Sequence, residues 1–210
     1  VPMSLYSKRI LYEDDHLLGV NKLSCELVVK GRGKVQKLSL FDYLKKDYPG
    51  LKVLHRLDFE TSGVVVFGKS KDTELIKAKK IYRTVVIGRM KNNRGVISKK
   101  LPARTGGEVE AMTRYNVLRK FKDASYVEAE IETGRHHQIR KHFASIGHPL
   151  VLDQVYGNER QYSKFSRRFR LKKFFLHAVR IEMEHPVTGK RIAIEAPMPK
   201  VFNDFLNNLA

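Results

Sequence analysis

Asp58 is the residue best placed to do chemistry. It stands in Leu54-His55-Arg56-Leu57-Asp58-Phe59-Glu60-Thr61-Ser62-Gly63, just ahead of the apolar run Val64–Phe67. A carboxylate between Arg56 and the polar Thr61-Ser62-Gly63 has two readings. It caps a turn, or it is held ionised in a cationic cleft, where it suits nucleophilic or electrostatic work better than acid catalysis. A second cluster, Gly134-Arg135-His136-His137-Gln138-Ile139-Arg140, sets cations and imidazoles at the start of a helical pattern. There, phosphate could meet Arg135, His136, His137 and the free backbone N–H groups of the first turn; the other reading is an ordinary wet helix face. Arg140 falls beside the apolar side formed by Ile139, Phe143 and Ile146, at the helix edge, where it could point into a cleft. Tyr82, in a β-rich run, reads from its residues alone as a strand aromatic.

The charge gives these residues a context. Lys plus Arg number 41 against 22 Asp plus Glu in 210 residues, a formal net charge of +19. Such a field attracts polyanions and speeds their encounter, so RNA or DNA is favoured over a membrane surface or an acidic protein. The charge is clustered. Residues 89–107 hold six basic residues, no acid and three glycines. Residues 160–173 hold seven basic residues, among them Lys164, Arg167, Arg168 and Arg170, together with Tyr162, Phe165 and Phe169. Those aromatics could stack on unpaired bases, but their spacing equally suits the buried side of an amphipathic helix.

Several classes are excluded or unsupported. The hydrophobic fraction of 42% is enough for a core, and no run of 18 apolar residues exists to span a membrane. Val1-Pro2-Met3-Ser4 does not begin a signal peptide. The single cysteine, Cys25, cannot form an internal disulfide, which fits a reducing compartment; the cytoplasm is the expected location. Neither a phosphate-binding loop, nor a dinucleotide glycine fingerprint, nor zinc-ligand spacing is present, so neither nucleotide cofactor nor metal is expected.

The elements that must position these residues alternate irregularly. Ile10–Tyr12 and Leu17–Val20 read as strands around the acidic turn Glu13-Asp14-Asp15. Residues 30–37 read as a loop, and Ser39 caps a helix over 40–47 that Pro49-Gly50 stops. A strand at 64–67, a short helix at 70–79 and a strand from Tyr82 to Ile87 follow. The 89–107 stretch reads as a basic loop and a possible insertion. Strands at 108–115 and 126–131, a helix from His136 to Ser145 ended by Gly147, two strands over 177–196 and a last helix after Pro199 complete the chain. This is not a repeating βαβ pattern. It predicts an α+β fold with a twisted, mixed and mainly antiparallel sheet flanked by helices around a basic cleft. A single domain over 1–210 is expected, with no separate N-terminal RNA-binding module.

The segment His55–Gly63 resembles the signature of the RluA/RsuA superfamily of RNA pseudouridine synthases, most closely the RluA-type branch. So do Gly134–Arg140 continued by His142 and Gly147-His148-Pro149-Leu150, Asp153 with Tyr156-Gly157, Lys80-Ile81-Tyr82, Leu176-His177-Ala178, and His185-Pro186 with Ala196-Pro197. These matches run in order over about residues 10 to 200. The resemblance implies conversion of uridine to pseudouridine within structured ribosomal or transfer RNA, without cofactor, by a protein taken as a monomer. It implies Asp58 as the catalytic aspartate, Tyr82 against the target base and Arg140 as the basic partner of Asp58. Arg56 would enter the stack when the uridine flips out, and Leu57 would support the loop by packing; Thr61 and Gly63 belong to the same supporting turn. Asp58 would either attack the sugar or abstract a sugar proton on a glycal route. The rival readings are a non-catalytic basic RNA-binding protein and an RNA hydrolase or glycosidase.

Three departures stand out. Asn21-Lys22-Leu23-Ser24-Cys25 replaces the family's Asn-Lys-Pro and nearby glycine, in a segment not catalytic by resemblance. Leu152 precedes Asp153 where the family prefers glycine. The stretch from Ser70 to Lys80 is shorter than usual.

Overall fold

The computed structural model describes residues 7–31, 38–103 and 106–209. Most of the stretch read as a loop over 30–37, the start of the chain and residues 104–105 therefore lie outside the described residues. In chain order the elements are β1 (Ile10–Glu13), β2 (Leu17–Lys22), α1 (Leu40–Leu44), β3 (Lys52–Val53), β4 (Ser62–Gly68), β5 (Ile76–Ile87), β6 (Arg94–Ser98), β7 (Leu101–Pro102), β8 (Glu108–Val109), β9 (Met112–Lys120), β10 (Ala124–Ile131), α2 (Gln138–Ser145), α3 (Glu159–Phe169), β11 (Leu176–Glu184), β12 (Arg191–Glu195) and α4 (Lys200–Asn208). The chain forms two compact units. The first comprises residues 1–79 and 178–197, the second 80–177 and 198–210.

In the first unit the strands run in the order β1-β2-β4-β11, with β3 on β4 and β12 on β11. β4 is buried along its whole length, as a Val-rich run covered on both faces should be. Its Val64 and Val66 pack with Leu17, Ile181, Met183, Ile194 and Ala196. Gly63 opens β4 at φ +112, and a Cβ there would lie 2.2 Å from the Ala178 carbonyl oxygen, so only glycine lets the two strands meet. Ser39 caps α1 as predicted, in a reciprocal capping box with Asp42.

In the second unit the order is β5-β10-β9-β6, and β7 pairs with β8 in a small separate sheet. β10 alternates as expected: Val127, Ala129 and Ile131 are buried, while Tyr126, Glu128 and Glu130 are partly exposed. Phe165, Phe169, Phe175, Phe202 and Phe205 form an aromatic cluster, with neighbouring ring centroids 4.8–6.0 Å apart.

Five expectations are corrected. No helix forms over 70–79. Ser70 and Thr73 build a turn through their hydroxyls, and from Ile76 the period is two, apolar Ile76 and Ala78 against Lys77 and Lys79, so this stretch is the start of β5. The 89–107 stretch is not one loop: β6 pairs with β9, burying Ile97 beside Thr113, and Gly95 within the strand and the lysines that flank it concealed the pattern. The strand expected at 108–115 is broken at Glu110-Ala111 into β8 and a longer β9. α2 starts at Gln138, because His137 is left-handed at φ 55, and Ile146 is 40% exposed; the buried side is completed instead by His142, bonded to Thr113 Oγ1 and the Lys99 carbonyl. Phe165 and Phe169 belong to the aromatic cluster, so the reading that they stack on RNA bases is withdrawn.

Candidate active site

The first unit carries Arg56, Leu57, Asp58, Thr61 and Gly63 on one loop that runs into β4. Leu57 is buried and anchors it, Asp58 is half-buried and Arg56 is exposed. His55 is tied to β4 by accepting a hydrogen bond from the Val66 N–H at its Nε2. The loop is held by its backbone. Phe59 O accepts from the Cys25 N–H at 2.8 Å and from Lys22 Nζ at 3.1 Å. Glu60 O accepts from Ser24 Oγ, and Thr61 O accepts from Lys22 Nζ.

Lys22 closes this arrangement. It is fully buried, and its ammonium donates to three carbonyls, those of Leu23, Phe59 and Thr61. Three donors meeting three acceptors is the geometry an ammonium can satisfy and a planar guanidinium cannot. Burial pushes its pKa down to about 8, against the opposing pull of the Glu26, Cys25 and Asp58 charges. Glu26 also accepts from the Leu23 N–H and from Arg9, which fixes the turn carrying Lys22, Ser24 and Cys25. Cys25 itself sits in the left-handed region at φ 63. The departure from the family pattern thus lies in the segment that clamps the Asp58 loop. Sequence reading gave this segment no catalytic part; a lysine ending an apolar strand was the one available signal.

The second unit carries Tyr82, Arg140, Arg135, His136 and His137. Tyr82 is buried on β5, paired in register with Ala129. Lys80, two residues earlier on the same side, ends near Gly134, whose Cβ would lie 3.8 Å from Nζ; burial lowers its pKa. Arg140 is buried and bidentate on Asp153, with Nε–Oδ2 2.7 Å and Nη2–Oδ1 2.8 Å. Its guanidinium lies 4.5 Å from the Phe174 ring centroid and 4.9 Å from that of Tyr156. Nη1 reaches His137 Nδ1 at 3.2 Å, and since arginine can only donate, Nδ1 is the acceptor there. Three of the five N–H groups are thereby committed within this unit. Asp153, which the motif match left without a role, is the partner that fixes Arg140, and Leu152 before it is left-handed at φ 66 where the family has glycine.

Gln138 explains the turn before α2. Its Oε1 accepts from Thr133 Oγ1 and the Arg135 N–H, and its Nε2 donates to the Met112 carbonyl. This holds Arg135 and His136 exposed, with the His136 and His137 rings stacked 3.8 Å apart. Lys164, Arg167, Arg168 and Arg170 are exposed on α3 or at its end, as the sequence suggests. Among the described residues no three His, Cys, Asp or Glu side chains group as a metal site requires, and no helix is long and apolar enough to cross a membrane.

Residues 16–145 match the family model described as RNA pseudouridylate synthase. The chain is 32% identical to ribosomal large subunit pseudouridine synthase C of Vibrio vulnificus, over 95% of this chain and 69% of that protein. It is 32% identical to synthase D of Pseudomonas aeruginosa, over 92% of this chain and 69% of that protein. The solved structure of human RNA pseudouridylate synthase domain containing 4 superposes with a TM-score of 0.77 at 22% identity, covering 97% of this chain and 94% of that one; it shares the fold.

Proposed function

Because the chain belongs to the RNA pseudouridylate synthase family and is an RNA pseudouridine synthase, we propose that Asp58, Tyr82 and Arg140 carry out the isomerisation of uridine in ribosomal RNA. The names of the bacterial relatives favour ribosomal over transfer RNA as substrate. The proposed catalyst is one chain acting as a monomer in the cytoplasm, without metal or organic cofactor.

The reaction breaks the C1′–N1 bond, keeps the uracil bound, rotates it and joins C5 to C1′. Asp58 is the group that attacks C1′ or removes a sugar proton. Both routes need a charged carboxylate in a fixed place, and the observation that supports Asp58 most is the clamp by Lys22, Ser24 and Cys25 on the backbone of residues 59–61, which directly follow it. Fixing the main chain lets the half-buried carboxylate hold a near-attack position. Arg140 is the basic partner of Asp58 in this reading, kept in one orientation by Asp153, Phe174 and Tyr156. Tyr82 stacks on the uracil and assists proton transfer at C5. A base within a stem must be extruded first, at a cost of roughly a few kcal/mol, and Arg56, exposed two residues before Asp58, offsets part of this by entering the gap. Arg135, His136 and His137 contact phosphate beside the target, and the basic side chains of α3 grip the backbone.

Tritium release from RNA carrying [5-³H]uridine tests this reading. Asp58→Asn should lower release at least about 10³-fold while RNA still binds. Unchanged turnover would remove Asp58 from the mechanism. Binding without release by the parent protein, over a full set of ribosomal and transfer RNAs, would favour a non-catalytic RNA-binding protein, and free uracil would indicate a glycosidase.

A further inference from the structure

Three segments of the second unit that are remote in sequence meet at one end of its sheet. The β9–β10 hairpin supplies Arg119, Lys120 and Lys122, the β5–β6 connection supplies Lys91, and α3 supplies Lys164 and Arg168. Lys120 Nζ donates to the Lys91 carbonyl at 3.1 Å, and the Gly88 N–H donates to the Asp123 carbonyl at 2.8 Å. Lys164 Nζ lies 2.9 Å from Asp123 Oδ2, and the charges of Lys122 and Arg168 also act on that carboxylate, holding its pKa low. Across residues 88–93, 119–123 and 164–168, Asp123 is the one acidic residue.

Cations gathered around one carboxylate repel one another, so their grouping weakens the fold unless a polyanion compensates. Two are also ordered in advance. The Arg119 guanidinium lies 4.9 Å over the Phe121 ring and that of Arg168 4.8 Å over Phe169. A guanidinium held over a ring gives up part of its rotamer freedom before binding and still offers N–H groups to phosphate oxygens.

The position says what the patch meets. Ala124 pairs with Ile87 at this end of β10, and Ala129 pairs with Tyr82 farther along. The five-residue offset places the patch about 16 Å along the strand from Tyr82, well beyond a nucleotide held at that ring. We propose that Arg119, Lys122, Lys164 and Arg168 form a docking surface for the phosphate backbone of an RNA segment outside the modified nucleotide. The proposal rests on the reading of RNA as substrate and adds that recognition extends beyond the target loop.

The test measures binding of the full chain to two RNAs, a short stem-loop holding only the target and a ribosomal RNA fragment extending well past it on both sides. Arg119→Ala/Lys122→Ala should raise Kd for the long fragment about 10-fold and reduce the slope of log K against log salt by about 1–2. Kd for the short stem-loop should move less than about threefold, since it offers few phosphates to this end of the sheet. Lys122→Glu, a single change at an exposed hairpin tip, should act in the same direction and guards against misfolding of the double variant. Equal loss on both RNAs, or no loss on either, would overturn the proposal. So would a loss confined to anionic phosphatidylserine vesicles or a poly-glutamate peptide, which would make the patch a membrane or protein contact. Failure of the parent protein to bind either RNA would instead sink the RNA reading itself.

Discussion

The Asp58 loop and the Arg140 pocket both immobilise a charged residue, by opposite means. In the first unit the restraints fall on the main-chain carbonyls of Phe59, Glu60 and Thr61, the residues that directly follow Asp58. In the second, the side chain of Arg140 is itself gripped by a carboxylate fork and two rings. The difference follows from the holding groups. An ammonium is a compact charge with three divergent donors, suited to gathering three carbonyls, whereas a guanidinium is a planar fork suited to a carboxylate. The residue proposed to react sits on a loop held through main-chain groups, and the residue proposed as its basic partner is held through its own side chain.

Substitutions can break this contrast. Asp153→Ala should have the largest effect on stability, about 3–5 kcal/mol, because it strands a buried guanidinium. The melting temperature of a chain this size should fall by about 10 °C. A fall under about 2 °C would mean the pair is not the lock described. Lys22→Met should cost less, about 2 kcal/mol. The three carbonyls lose a partner worth roughly 1 kcal/mol each, and an ammonium no longer has to be buried. Turnover should drop further than stability, since the loop released is the one bearing Asp58. Titration makes the same change reversibly. Between about 8 and the ordinary lysine value of 10.5, the unfolded chain binds more protons at Lys22 than the folded chain, so this residue's contribution to stability rises with pH. Activity that declines through that window while the melting temperature holds would mark loss of the third donor. A parallel fall in both would assign the limb to unfolding.

The smallest effects should differ in sign. Cys25 and Leu152 both occupy left-handed backbone. Cys25→Gly should stabilise by about 1 kcal/mol, because it relieves φ strain and little buried surface is lost. Leu152 is only 2% exposed, so Leu152→Gly should destabilise by about 1–2 kcal/mol, the lost burial outweighing the relieved strain. Denaturant midpoints of the two variants read these signs directly, and two shifts of the same sign would refute the strain argument at one of the positions.

Much of the frame was legible because local signals are strong where one face is buried. The alternation of β10, the Val-rich β4, the Ser39 cap and the Gly147 stop all form as read. The errors fall where tertiary context outweighs local pattern. Residues 76–79 join a strand because β5 continues through them, β6 is hidden by Gly95 within it and the lysines around it, and His142 is a polar residue filling an apolar role.

The sequence by itself determined the family and the order of the motifs, and it put forward Asp58, Tyr82 and Arg140 as candidates, since these depend on residue types at fixed spacing along the chain. Only the tertiary structure decided what holds them. The Lys22 clamp spans 39 residues from Lys22 to Thr61, the Arg140–Asp153 fork needs the turn after α2, and the basic patch joins hairpin, connection and helix. Each depends on side chains meeting across distances that local periodicity does not encode, because burial and hydrogen-bond partners are set by what folds against a residue and not by its neighbours in sequence.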